Sequence, residues 1–325
     1  MKYRAYLVAL LVILIWGITF ANTRALLEDF SALEIQLVRF ALAWAALWIV
    51  DLAKFFGSKN RDDTACRLSC FGGRNQCRVS EWLFVGMGLT GVFLYQLLEN
   101  CAIYYTNASN VAILVSFGPI VTALMARFWM HDRSLSFRFC LGSIVSVVGV
   151  TLVSMNGVVN FDMRPLGDLM ALSAIGCWGV YSILIDRANQ KGVPAMVAIR
   201  KAFGWALVLM LPLTFWGATS SGYTALDGSF SITLDSEVNA ERFADMMNLV
   251  NLGFLGLLAS AAAFSLWNLA CRELGVVRTT IGLYLTPIVG IIFAALFLDE
   301  RLTVMSLSGG VLILIGVIAA TFKRR

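Results

Sequence analysis

Charge is scarce in this chain. Asp, Glu, Lys and Arg make up 14% of 325 residues, against about 25% in a typical soluble domain. Hydrophobic residues make up 59%, so there is too little polar surface to cover a soluble fold. An ordinary soluble protein is excluded, and the composition points to a polytopic membrane protein. Histidine is rarer still. The single one, His131, lies in a polar turn, which excludes an H-E-x-x-H zinc site. No G-x-x-x-x-G-K-[ST] phosphate loop occurs, so nothing in the sequence hydrolyses ATP. The stretch "GMGLTG" at 86–91 matches G-x-G-x-x-G but lies inside an apolar helix with no strand before it. It reads as close helix packing. The seven cysteines form no disulfide framework: Cys101, Cys140, Cys177 and Cys271 fall in or beside apolar segments. Cys66, Cys70 and Cys77 share one polar loop and read as free thiols, since zinc asks for four ligands, usually in close pairs. The net charge of +5 is not gathered like a nucleic-acid footprint. No cofactor, metal or nucleic-acid partner is expected. The lipid bilayer is.

What the chain has instead is long apolar runs. A span needs about 20 such residues at 1.5 Å rise each. Ten fit: 5–22, 32–50, 82–104, 107–130, 136–155, 166–186, 194–217, 248–271, 276–298 and 303–322. The basic start and apolar run of the first resemble a signal peptide, but the sixth span repeats its Trp-Gly pattern, so the first is read as a retained span. The joins between spans 3 and 4 and between spans 9 and 10 are short, so each pair is an antiparallel hairpin. Ten spans place both termini on one side. On that side lie 17 Lys and Arg residues; on the other lie Arg24, Arg164, Arg242 and Arg301. Both termini are therefore expected to be cytoplasmic, in the cell (inner) membrane. Two loops are long: a basic cytoplasmic one at 51–81 and an acidic external one at 218–247. Both read as solvated linkers.

The chain repeats itself. "SFGPIVTALMARFWMHDRSLSFRFCLG" (116–142) aligns with "YLTPIVGIIFAALFLDERLTVMSLSGG" (284–310) at an offset of 168 residues. Pro119 meets Pro287, Gly142 meets Gly310, and Asn100 meets Asn268. Trp16-Gly17 and Trp178-Gly179 form a second matched pair, 162 residues apart. Five spans per copy is an odd number, so the second copy enters from the opposite face. The expected fold is an all-α integral membrane protein of ten transmembrane helices in two inverted five-helix repeats, residues 1–155 and 166–325, an arrangement found in secondary transporters. Trp16 and Trp178 lie about 16 and 18 Å along their helices, near the middle of a hydrocarbon core about 30 Å thick. Pro119 and Pro287 sit near the centres of spans 4 and 9. Gly loosens a helix and Pro removes one of its hydrogen bonds, and in lipid the freed groups must face protein or a wet cavity. Gly17, Pro119, Gly179 and Pro287 are thus the expected hinges of an alternating-access carrier.

The sequence resembles the EamA-type carriers of the drug/metabolite transporter superfamily. The resemblance rests on "WGITF" in span 1, "LVRFALAWAALW" in span 2, "YYTNASNVAILVSFGPIVTALMARF" across spans 3 and 4, and "LTPIVGIIFAALFLDERLT" across spans 9 and 10. It covers nearly the whole chain. It implies spans 1–4 and 6–9 around a central cavity, with 5 and 10 as outer supports, and efflux or uptake of metabolites, amino acids or drugs by secondary transport. Two loops depart from the family pattern, 51–81 and 218–247. The expected function is secondary transport of a small metabolite, an amino acid or related amphiphile, in the export direction. A drug exporter is the alternative, and a membrane-embedded enzyme or a receptor is the competing class.

Arg39, about 10 Å inside span 2, is the first site candidate, because a buried charge faces a partner or an aqueous path. Glu99 is expected in the same outer half, where it can pair with Arg39. Burial would favour a protonated Glu99 and coupling to protons; pairing would favour uniport or exchange. Arg200, next to Lys201, holds the mirrored place in span 7. Trp16, Thr19, Asn22, Tyr95, Asn100, Ser116, Trp178, Tyr181, Asn268, Tyr284 and Thr286 complete the expected substrate-binding set, since aromatic walls with a few polar groups suit a small amphiphile. Helical spacing places Trp16, Thr19 and Tyr6 near one stripe. Both monomer and homodimer are compatible with the sequence.

Overall fold

The computed structural model of the chain describes residues 2–26, 29–30, 32–57, 79–106, 108–131, 135–155, 164–219, 242–297 and 303–321. Among the described residues the regular structure is helical throughout. The solvent is the reason: hydrocarbon offers no partner to a backbone N–H or C=O, so each crossing segment must satisfy its own. Among the described residues, ten longer helices run in chain order. α1 is Lys2–Leu26 and α2 is Ala32–Gly57. α3 has three parts: Glu81–Met87, a π-helical stretch Gly88–Leu94, and Tyr95–Tyr105. α4 has two, Ala108–Val115 and Gly118–Trp129. α5 is Phe137–Met155, α6 is Pro165–Gln190 and α7 is Ala195–Thr219. α8 has three parts: Met246–Gly253, a π-helical stretch Phe254–Ala262, and Ala263–Leu274. α9 is Val276–Ile281, a 3₁₀ turn Gly282–Leu285, and Thr286–Phe297. α10 is Val304–Thr321.

Nine stretches among the described residues are long and apolar enough to cross a membrane, and α1 adds a shorter one, Tyr3–Thr19. The protein is an all-α integral membrane protein whose ten helices fit two inverted repeats of five. One boundary needs correction. The basic loop is expected to open at residue 51, yet α2 continues to Gly57 and buries Asp51. Leu, Ala and Lys in "DLAKFFG" favour continued helix, and the buried acid is paired with Arg200 on α7. Cys66, Cys70, Cys77, most of the acidic loop and the short join at 298–302 lie outside the described residues.

The chain forms two compact units. One comprises Met1–Ile18, Leu94–Arg187 and Leu266–Arg325; the other comprises Thr19–Phe93 and Ala188–Ser265. α1, α3, α6 and α8 each have residues in both units.

The first unit is built on the crossing of α5 and α10. A Cβ added to Gly142 would lie 2.5 Å from the Gly316 carbonyl, and one on Gly149 would lie 2.6 Å from that of Gly309. The residue numbers run in opposite senses along the two helices, so they are antiparallel. Without side chains at these points the backbones touch, which is how membrane helices gain dispersion contact where no hydrophobic force drives them together. Phe139, Val150, Ile313 and Tyr284 close the core around this crossing.

In the second unit, α2, α7 and α8 meet at a cluster of three rings, Phe40, Phe203 and Phe264, with centroids 5.1 to 6.4 Å apart. The π-helical stretch of α3 starts at Gly88, where a Cβ would be 2.5 Å from the Ala202 carbonyl on α7. Its repeat mate Gly256, on α8, lies against Leu42 on α2 (2.8 Å).

Candidate functional site

The hinge expectation divides in two. Pro119 stands at the start of the second half of α4, after a break at Ser116 and Phe117. Pro287 starts the last part of α9, after the 3₁₀ turn that holds Tyr284. A proline needs no N–H partner in a first turn, so the two halves of α4 and α9 restart there. The glycines differ. α1 runs unbroken through Gly17 and α6 through Gly179. Each is a point of close approach: a Cβ on Gly17 would be 2.5 Å from Val289, and one on Gly179 would be 2.5 Å from Met125 Sδ and 3.5 Å from Val121. Val121 and Val289 are themselves mates at the 168-residue offset. Each Trp-Gly helix therefore seats on the segment just after the proline of the other repeat.

That seating collects aromatic rings in the first unit. Trp16 meets Trp267 at 5.1 Å and Trp178 at 6.1 Å between centroids. Trp178 also meets Tyr95 at 5.2 Å and Tyr181 at 5.3 Å. Trp178, Tyr181 and Trp267 are buried. Several polar atoms within this unit are buried with no hydrogen-bond partner: Trp178 Nε1, Trp267 Nε1, Thr286 Oγ1, and both amide atoms of Asn268. A buried polar atom left unmet costs about 1–3 kcal/mol. Such groups stay in a fold where a ligand or water meets them in use. Glu99 is half-buried and accepts a hydrogen bond from the Tyr95 hydroxyl at 3.2 Å. Ser116 Oγ donates back to the Ile113 carbonyl at 2.6 Å, at the break in α4. Asn100, the mate of Asn268, is half-buried, and Tyr284 is buried in its 3₁₀ turn. Tyr6 does not join the cluster: it is exposed, so the stripe proposed from spacing keeps Trp16 and loses Tyr6.

The second unit holds Thr19, Asn22, Arg39 and Arg200. Thr19 is half-buried. Asn22 donates to Asn251 Oδ1 on α8 at 2.8 Å. Arg39 is buried, and its Nε donates to Ser260 Oγ at 2.6 Å. Arg200 is 2% exposed; it pairs with Asp51 at 2.7 Å and lies 3.9 Å over the Trp48 ring. Lys201 pairs with Glu81 and lies over Phe84. These two bases do not snorkel; each is met by an acid from a neighbouring helix. Sequence reasoning missed Trp267, Asp51, Asn251 and Ser260. Only Asp51 carried a signal, as an acid shortly before Lys54 at the end of an apolar run. Among the described residues no group of His, Cys, Asp and Glu could hold a metal.

The chain matches the model of the EamA-like transporter family at residues 3–155 and again at 165–322. It is 24% identical over 319 residues to a protein of Escherichia coli (strain K12) named "Probable amino-acid metabolite efflux pump", covering 98% of this chain and 94% of the other. It is 26% identical to the "Probable terminal-alkyne amino-acid exporter" of Streptantibioticus cattleyicolor, over 71% of this chain and 69% of the other. A solved crystal structure superposes with a TM-score of 0.73 at 17% identity, over 98% of this chain and 97% of its own, and shows the same fold. Two matched segments that together take in nearly the whole chain settle the assignment: this protein is a member of the EamA-like transporter family.

Proposed function

We propose that the protein exports a small metabolite of amino-acid type by alternating access, and is not an enzyme. The observation that carries the reading is the buried aromatic cluster with its unmet indole N–H groups and the unmet amide of Asn268. Ring faces accept apolar and cationic parts of a solute; indole N–H groups and a side-chain amide offer bonds to a carboxylate or carbonyl. That mixture suits a small zwitterion better than a lipid or a nucleotide. The names of the E. coli and Streptantibioticus relatives support the same class.

The repeats are proposed as residues 1–155 and 166–325, with both termini cytoplasmic. Trp16, Tyr95, Glu99, Asn100, Ser116, Trp178, Tyr181, Asn268, Tyr284 and Thr286 are proposed to serve the substrate from the first unit. Within the second unit, taken by itself, Thr19, Asn22, Arg39 and Arg200 are the proposed substrate-binding residues, and Pro119 and Pro287 are the proposed bending points. Gly17 and Gly179 are proposed to hold α1 and α6 in close contact with Val289 and Met125. Transport runs down a gradient of substrate or of an exchanged solute; Glu99 is the acid that a proton would use.

The test is counterflow. Purified protein in vesicles loaded with an unlabelled amino acid should accumulate the labelled one, saturably, for at least one member of a panel of the common amino acids. Absence of counterflow across the panel, with folded protein in the vesicles, would refute the amino-acid class.

A further inference from the structure

The two π-helical stretches occupy repeat-related positions. At the 168-residue offset Gly88 meets Gly256 and Leu94 meets Ala262, the last residue of each stretch. Sequence periodicity gave no sign of either. A π turn inside a membrane helix shifts the register of the residues after it and takes backbone carbonyls out of line, and such turns concentrate at functional positions. Here both stretches bond to one helix. Gln36 Nε2 on α2 donates to the Val92 carbonyl in the α3 stretch at 3.2 Å. Arg39 Nε, one turn further along α2, donates to Ser260 Oγ in the α8 stretch at 2.6 Å. Val92 and Ser260 are mates at the same offset. Gln36 and Arg39 are three apart and share a face, and both are buried.

We infer that the π-helical stretch of α8 is a positioning device for Arg39, and that Ser260 is the positioning residue through which it acts. The inference rests on the proposal that Arg39 serves the substrate, and takes its role to be holding an anionic group. The guanidinium is planar and rigid, so a hydrogen bond at Nε fixes the direction of its whole fork. A serine hydroxyl can do this without itself neutralising the charge, as a carboxylate would. Gln36 braces the same turn of α2 against the α3 stretch, so the arginine's backbone and its side chain are each held by one member of the mated pair.

The experiment compares Ser260→Thr with Ser260→Val. The two side chains are close to isosteric and differ in the hydroxyl. The readout is counterflow in vesicles of the best-carried amino acid of the panel, with Arg39→Ala run beside them. Thermal stability of each variant in detergent is measured as well. Val is expected to raise KM about tenfold, the order of one lost hydrogen bond to a charged group, with the maximal rate within about twofold and stability close to that of Thr. Thr is expected to keep the wild-type KM. A merely structural role would lower stability and maximal rate and leave KM unmoved, and that result would overturn the inference. If Arg39→Ala fails while Ser260→Val keeps the wild-type KM, the inference falls and the Arg39 proposal stands. If Arg39→Ala carries like wild type, both fall.

Discussion

Two adjacent glycines on α10 should respond in opposite ways to the same substitution. A Cβ on Gly309 would lie 2.6 Å from the Gly149 carbonyl and 2.9 Å from Val153 N. Both are backbone atoms of α5, so no rotamer change relieves the clash. The helices must part by most of an ångström to reach ordinary contact, and overpacking of this kind costs about 1–3 kcal/mol. Alanine's better helix propensity returns at most about 1 kcal/mol. Gly310 is the residue that sequence alignment pairs with Gly142, yet a Cβ there would meet nothing within 4 Å. Gly310→Ala should therefore gain up to about 1 kcal/mol and lose nothing. The assay is thermal unfolding in detergent, read by the loss of the monodisperse size-exclusion peak. Gly309→Ala should melt below wild type and Gly310→Ala at or above it. Equal melting of the two variants would refute the claim that the backbones of α5 and α10 touch at Gly149 and Gly309.

The same geometry sets further outcomes. Asp51→Asn leaves Arg200 buried without its acid and should destabilise the protein by about 3–5 kcal/mol, while the double change Asp51→Leu with Arg200→Leu should recover much of that loss in the same melt. Cysteines placed singly at Ser220 and Ser58 in a cysteine-free background should label from opposite sides: an impermeant thiol reagent should reach position 220 in intact cells and position 58 only after permeabilisation, and equal labelling would sink the topology. Arg39→Lys should keep part of the transport and Arg39→Ala nearly none, since Lys retains charge but not the planar fork; wild-type counterflow in the alanine variant would remove Arg39 from the site.

The helices were legible because a membrane leaves little choice: a run of about 20 apolar residues crosses as a helix. Pro119 and Pro287 were legible as breaks because proline acts on the backbone of its own segment. Gly17 and Gly179 were harder. A glycine weakens a helix and also lets another backbone or side chain come close, and which of the two it does depends on Val289 and Met125, which are remote in sequence. The π-helical stretches were hidden because "GLTGVFL" and "FLGLLASAA" are apolar on every side, so one shifted hydrogen bond leaves no mark on the pattern. Partner choice was hidden for a related reason. Arg39 was found as a charge in lipid, but nothing local points to Ser260, 221 residues on. Trp267 sat beside the chosen Asn268 and was missed because one apolar ring among many carries no signal; its neighbours Trp16 and Trp178 were found only because the repeat doubled them.

The central claim is that a metabolite is carried through a site where Asn268 meets it. The most direct measurement is counterflow in vesicles by wild type, by Asn268→Leu and by the distant control Gly310→Ala, with and without an imposed pH gradient. The account predicts saturable counterflow for wild type and control, and its loss in Asn268→Leu while that variant still inserts and melts at or above the wild-type temperature, because the unmet amide is gone. Undiminished counterflow in Asn268→Leu would contradict it.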